Sequence, residues 1–109
     1  MSNVSYDDFA KLDIRVAKII ATEPIEGKTR IIKGQIDLGG DDQRDVIIGG
    51  AQYYSPEDIV GKTVIVIANL EPKKMAGVES NAMLLAADVD DKPFWLTVAE
   101  DVPLGSPIK

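Results

Sequence analysis

Val64-Ile65-Val66-Ile67-Ala68 is a run of five apolar residues, four of them β-branched, with no polar position to turn toward water. A run this short and this uniform reads as a strand covered on both sides, here within Lys62–Leu70. Other β-branched segments surround it. Asp13–Glu23 holds Ile14, Val16, Ile19 and Ile20 among Arg15 and Lys18. Its alternation slips near Ala17–Lys18, which predicts a bulge that bends the strand. Ile31–Leu38 alternates cleanly, with Ile32, Gly34, Ile36 and Leu38 on one face, and Asp45–Gly49 begins a third strand.

A single helix signal interrupts the series. Ser55 is placed to cap it, Pro56 suits the first turn, Glu57 and Asp58 complement the N-terminal dipole, and Gly61 ends it. Beyond Lys62–Leu70, Ala82–Ala87 predicts a fifth strand and Phe94–Val98 a sixth, followed by an extended Pro/Gly tail. Three strands, a short helix and two or three more strands predict an all-β chain. The expected architecture is a five-stranded Greek-key barrel of the oligonucleotide-binding (OB) kind, with one short helix between strands 3 and 4 and a C-terminal extension. A β-sandwich is the alternative, but it needs more strands and no inserted helix. At 109 residues, 1–109 is expected to form one domain.

The sequence has no histidine and no cysteine, which excludes disulfides, Cys/His zinc sites, cysteine nucleophiles and Ser-His-Asp arrangements. No metal site, cofactor or catalytic residue is expected, and the chain is read as a non-enzyme. Asp88, Asp90 and Asp91 read as a solvated turn, because Lys92 and Ala99 occupy later positions where a calcium loop needs ligands. Gly27–Thr29 and Gly61–Thr63 lack the upstream glycine of a phosphate loop. No signal peptide and no membrane-length apolar run is present, so a cytoplasmic location is expected.

Charge is unevenly spread. The net charge is −6, yet Lys11–Lys33 holds six basic residues against three acidic ones, while the remainder holds six against fifteen. A local basic stripe on an acidic body suits a shaped polyanion better than indiscriminate nucleic-acid binding. The segment from Asn69 to Met83 is long for a strand connector and brings Lys73, Lys74, Asn69, Ser80 and Met83 to the junction of strands four and five. Lysines attract phosphate, and Asn and Ser offer directional hydrogen bonds to sugar or base edges. The plainer alternatives are that Asn69 closes strand four, Ser80 makes a local turn bond and Met83 joins the core.

This loop, running on into Leu84-Leu85-Ala86-Ala87, joins two other segments, Asp8-Phe9-Ala10-Lys11-Leu12-Asp13-Ile14-Arg15-Val16 and Gly50-Ala51-Gln52-Tyr53-Tyr54-Ser55-Pro56-Glu57. Together they resemble the tRNA-binding domain found at the C-terminus of many methionyl-tRNA synthetases and as a free-standing dimeric protein. The resemblance runs from about Tyr6 to Ile108, and it favours the free-standing, β-subunit-like form. It implies an OB barrel that reads the shape of tRNA without catalysing a reaction, with tRNA and a methionyl-tRNA synthetase as partners and a homodimer as the assembly. Family binding positions carry over to Asn69, Lys73, Lys74, Ser80 and Met83. By fold position Lys18, Lys33, Lys28 and Arg30 join them. One departure stands out: many relatives have a His-Pro-Asn-Ala-Asp-Lys-Leu-like segment where this chain has Ile25-Glu26-Gly27-Lys28-Thr29-Arg30-Ile31. A related branch resembles an export chaperone that binds peptides, in which Tyr53, Tyr54, Phe94 or Trp95 would line an apolar groove; the same aromatics also suit core and interface packing.

Overall fold

In a computed structural model, which describes residues 2–109, the organising element is the eleven-residue strand β1 (Ile14–Pro24). Its first half pairs antiparallel with β4 (Thr63–Ile67), from Ile14 opposite Ile67 to Lys18 opposite Thr63. Its second half pairs with β2 (Ile31–Asp37), from Lys18 opposite Asp37 to Pro24 opposite Ile32. β3 (Gln43–Gly49) extends the sheet beyond β2, and β7 (Met83–Leu84) extends it beyond β4, giving the order β3-β2-β1-β4-β7. The sheet then curls toward closure, where the Asn81 N–H donates to the Asp45 carbonyl at 3.0 Å. This is the expected five-stranded OB barrel. α2 (Pro56–Ile59) lies between β3 and β4 and buries Ile59. Ser55 precedes it without a side-chain cap, contrary to expectation.

The interior is aliphatic and close-packed. Ile32, Gly34, Ile36 and Leu38 all point inward, as the alternation predicts, and Ile36, Ile19, Val46 and Val64 are fully enclosed. Each such side chain contributes about 1.5–3 kcal/mol by leaving water.

The slip in the β1 pattern has two causes, and only one is a bulge. Ala17 and Ile19 face the barrel interior, whereas Ile14 and Val16 face outward with Ile65 and Ile67. That outer cluster is covered by Leu85, Val98, Leu104 and Ile108. Both faces of this half-strand are therefore buried, as the uniform run in β4 requires. The bulge itself sits later, where the register against β2 jumps between Ile19 and Ala21. The C-terminal tail follows the edge of β1 that β2 does not reach: the Val16 N–H donates to Ser106 O, the Gly105 N–H to Val16 O, and the Ile108 N–H to Ile14 O, at 2.8–3.0 Å.

Other boundaries shift. The expected fifth strand divides into β7 and β8 (Ala86–Val89), and β8 pairs with β9 (Lys92–Trp95) in a separate hairpin. The expected sixth strand thus starts earlier, at Lys92. Asp90 and Asp91 form its turn at φ of 51° and 68°, with the Asp91 N–H donating to Asp88 Oδ1. A second helix, α1 (Tyr6–Ala10), adds to the one expected. It is a single turn capped by Ser5, whose Oγ accepts from the Asp8 N–H at 3.1 Å. Among the described residues no helix is long and apolar enough to cross a membrane.

Candidate nucleic-acid interface

The connector after β4 is not a plain loop. β5 (Lys73–Met75) and β6 (Val78–Ser80) form a small hairpin, turned by Ala76 and Gly77 at φ of 53° and 80°. Two successive positive φ values are what a tight two-residue hairpin turn requires, and Gly77 supplies one without steric cost. Strand alternation then separates the adjacent lysines. Lys73 pairs with Ser80, whereas Lys74 pairs with Glu79, so the two lysines leave opposite faces of the hairpin.

Lys73 faces a groove of about 270 Å³ together with Ser80 and Met83, and its walls are completed by Ile47, Leu70, Met75 and Ala82 with Glu71. Met83 is 44% exposed there and does not belong to the core. A shallower hollow shares Leu70 with the groove and passes Asp45 and Gln35. These two residues in turn border a third depression, formed by Ala21, Thr22, Glu23, Lys33 and Gly34. A continuous track therefore runs from the β1–β2 ribbon across β3 to the hairpin, the face on which OB barrels take oligonucleotides.

The remaining sequence candidates divide by role. Asn69 acts as a clasp: its Oδ1 accepts from the Asp13 N–H and its Nδ2 donates to Lys11 O, both at 2.8 Å. Ser80 braces the hairpin, with Oγ accepting from the Ile47 N–H at 3.0 Å and donating to Ala82 O at 3.1 Å. Lys33 lies on the track, but its ammonium sits 3.7 Å from Glu23 and 3.9 Å from Asp45, so local carboxylates already neutralise it. Lys28 and Arg30 are exposed on the β1–β2 connector, and Lys18 stands on the outer face opposite Asp37 and Thr63. None of these three lines the track. Among the described residues Lys73, Lys74, Lys18, Lys28 and Arg30 form no ion pair.

A charge network at the root of the hairpin was not anticipated. Arg15 forks onto Asp13, through Nε at 2.9 Å and Nη2 at 2.6 Å, and its Nη1 lies 3.8 Å from Asp42. Arg44 forks onto Asp42 at 2.9 and 3.0 Å. Its signature was present as Asp13-Ile14-Arg15 and Asp42-Gln43-Arg44, because strand residues two apart share a face. The Arg15 guanidinium holds the Asp13 carboxyl below its ordinary 3.8, against a smaller opposing effect of burial, and Arg44 does the same for Asp42. A depressed carboxyl pKa stabilises the fold above the unfolded-state value, and that contribution is lost as pH falls through the folded value. Stability from this network should therefore be constant above about pH 4–5 and decline below it. Thermal melts between acid and neutral pH check this: D13N/D42N should show a shallower acid decline than wild type, and identical profiles would exclude the network.

The aromatic residues lie elsewhere. The Tyr54 ring sits 4.8 Å from Trp95, and its hydroxyl donates to Pro93 O at 2.9 Å. Tyr53 and Phe94 stay nearly half exposed, and Lys92 Nζ lies 5.2–5.7 Å from the rings of Tyr53, Tyr54 and Phe94. Tyr54 and Trp95 are packing residues, and the exposed Tyr53 and Phe94 do not line the groove.

Residues 14–107, from the first residue of β1 into the docked tail, match the family described as "Putative tRNA binding domain". The chain belongs to this tRNA-binding family. A methionine–tRNA ligase of Clostridium tetani is 45% identical over 108 residues, covering 97% of this chain and 17% of the ligase. The chain thus spans about a sixth of that relative's length. A MetRS-related protein from Pyrococcus horikoshii superposes with a TM-score of 0.91 at 34% identity, each chain wholly covered. A CsaA chaperone protein from Picrophilus torridus superposes with a TM-score of 0.86 at 27% identity, over 98% of this chain and all of its own. The matched residues span the barrel and the hairpin between β4 and β7.

Proposed function

We propose that this chain is a non-catalytic tRNA-binding module that works beside a methionyl-tRNA synthetase and raises the local concentration of tRNA at the catalytic subunit. The observation that carries the reading is the groove at the hairpin root, where an unpaired Lys73 ammonium and an exposed Met83 thioether stand together on the ligand face of an OB barrel. A cation for phosphate beside an apolar surface for a sugar or base is the pairing that RNA recognition needs. The match to a MetRS-related protein over the whole of both chains supports action in trans. Linking one extra contact to an existing interaction strengthens it by roughly 10²–10⁴ without altering the chemistry. We read the assembly as a homodimer, supported by exposed Phe94, Leu96 and Val102 along the segment 94–108.

The net charge of −6 predicts binding that depends on local geometry, with a salt dependence set by the number of phosphates that the unpaired cations contact. The test is a titration with tRNA at low and near-physiological salt, with an unstructured single strand of equal length as competitor. Preference for folded tRNA is expected. Equal competition by the single strand would reduce the site to a generic backbone binder. No RNA binding at low salt, with an unfolded peptide quenching Trp95 instead, would transfer the function to the exposed aromatic patch.

A further inference from the structure

We propose that Arg44 is the positioning residue of the RNA-binding hairpin, setting the angle at which Lys73 meets the nucleic acid beside Met83 of β7. The proposal rests on the tRNA-binding reading above. The hairpin's own strands are three residues each, and a two-stranded ribbon of that length has marginal stability alone. Its orientation must come from its root. The chain leaves the barrel at Ala68 and returns at Asn81, and Arg44 Nη1 donates to both carbonyls, the second at 3.2 Å. One nitrogen therefore ties the two ends of the hairpin to the start of β3.

The other side of the same guanidinium is fixed as well, since Nε and Nη2 fork onto the Asp42 carboxylate. Four of the five N–H donors of arginine are thus engaged within the molecule, which leaves little for a phosphate. A lysine cannot reproduce this arrangement, because an ammonium lacks the planar fork that spans a carboxylate and two carbonyls in fixed directions. Arg44 lines the hollow between the groove and the β1–β2 ribbon, but with its donors engaged it acts on RNA through the hairpin and not as a phosphate contact.

The experiment measures tRNA affinity across a salt series for wild type, Arg44→Gln, Arg44→Lys and K73A/K74A, with amide hydrogen exchange over residues 73–80. Arg44→Gln is expected to weaken binding about three- to tenfold with an unchanged salt slope, while exchange in the hairpin accelerates and exchange in β1 and β2 does not. Arg44→Lys should fail to restore affinity. A salt slope reduced by about one in Arg44→Gln would make Arg44 a phosphate contact and overturn the proposal. Full affinity in Arg44→Gln beside weakened binding in K73A/K74A would overturn it too, leaving the tRNA reading intact. Full affinity in all variants would overturn the proposal and take the hairpin out of the interface, while tRNA binding itself would stand. Should Arg44→Gln fail to fold, Asp42→Asn decides, because it frees the fork while keeping the arginine: weaker binding at unchanged slope supports the proposal, and unchanged binding overturns it.

Discussion

Alanine at both Lys73 and Lys74 should weaken tRNA binding about tenfold at near-physiological salt, to a similar extent for different tRNAs, and lower the salt slope by up to about two. The uniformity follows from the chemistry, since an ammonium on a phosphate carries no base information. The two positions are not equivalent. Lys73 opens onto the groove beside Met83, whereas Lys74 lies across from Glu79 on the other face of the hairpin. Lys73→Ala alone should therefore account for most of the loss, and Lys74→Ala for the smaller part. Anisotropy titrations at several salt concentrations measure both quantities. Wild-type affinity in the double variant would remove the hairpin from the interface. An equal loss from the two single variants would mean that RNA wraps the hairpin on both faces.

The second large effect concerns stability. Gly105→Ala is expected to cost about 2–4 kcal/mol, lowering the melting temperature by roughly 10 °C or more. Gly105 holds φ at +86°, and a Cβ there would run into the Leu38 carbonyl. Gly39 meets the tail reciprocally, at φ +90° with its Cβ position 2.6 Å from Leu104 O. The tail and the β2–β3 turn thus interlock backbone against backbone, where no side chain can give way. Displacing Gly105 also breaks its N–H bond to Val16 O and lifts Leu104 and Ile108 from Ile14, Val16, Ile65 and Ile67. Thermal unfolding followed by circular dichroism measures the shift, and an unchanged midpoint would show that the tail does not seal this face. Leu104→Ala, which removes cover without strain, should lie between Gly105→Ala and wild type.

The barrel was legible in the chain because its signals are local. The period-two pattern of Ile31–Leu38, the uniform run Val64–Ala68 and the Ser55-Pro56 helix start each name an element without reference to distant residues. The motif from Asn69 to Met83 likewise marked the long connector between β4 and β7 as the candidate ligand site, and the family resemblance extended that expectation to tRNA. Tertiary structure decided what each residue there does. Pairing Lys73 with Ser80 and Lys74 with Glu79 is a matter of register, which a stretch punctuated by Pro72 and Gly77 does not declare. Asn69 and Ser80 look like ligand contacts by residue type. They became clasps only when Asp13, Lys11 and Ile47 arrived from segments 33 to 58 positions away. The outer apolar face of β1 also needed the tail, more than eighty residues later, before Ile14 and Val16 could be buried opposite Ala17 and Ile19. Periodicity reports how residues share a face along one strand. Which partner covers that face, and which polar groups are left over for a ligand, depends on contacts between segments that sequence order does not encode.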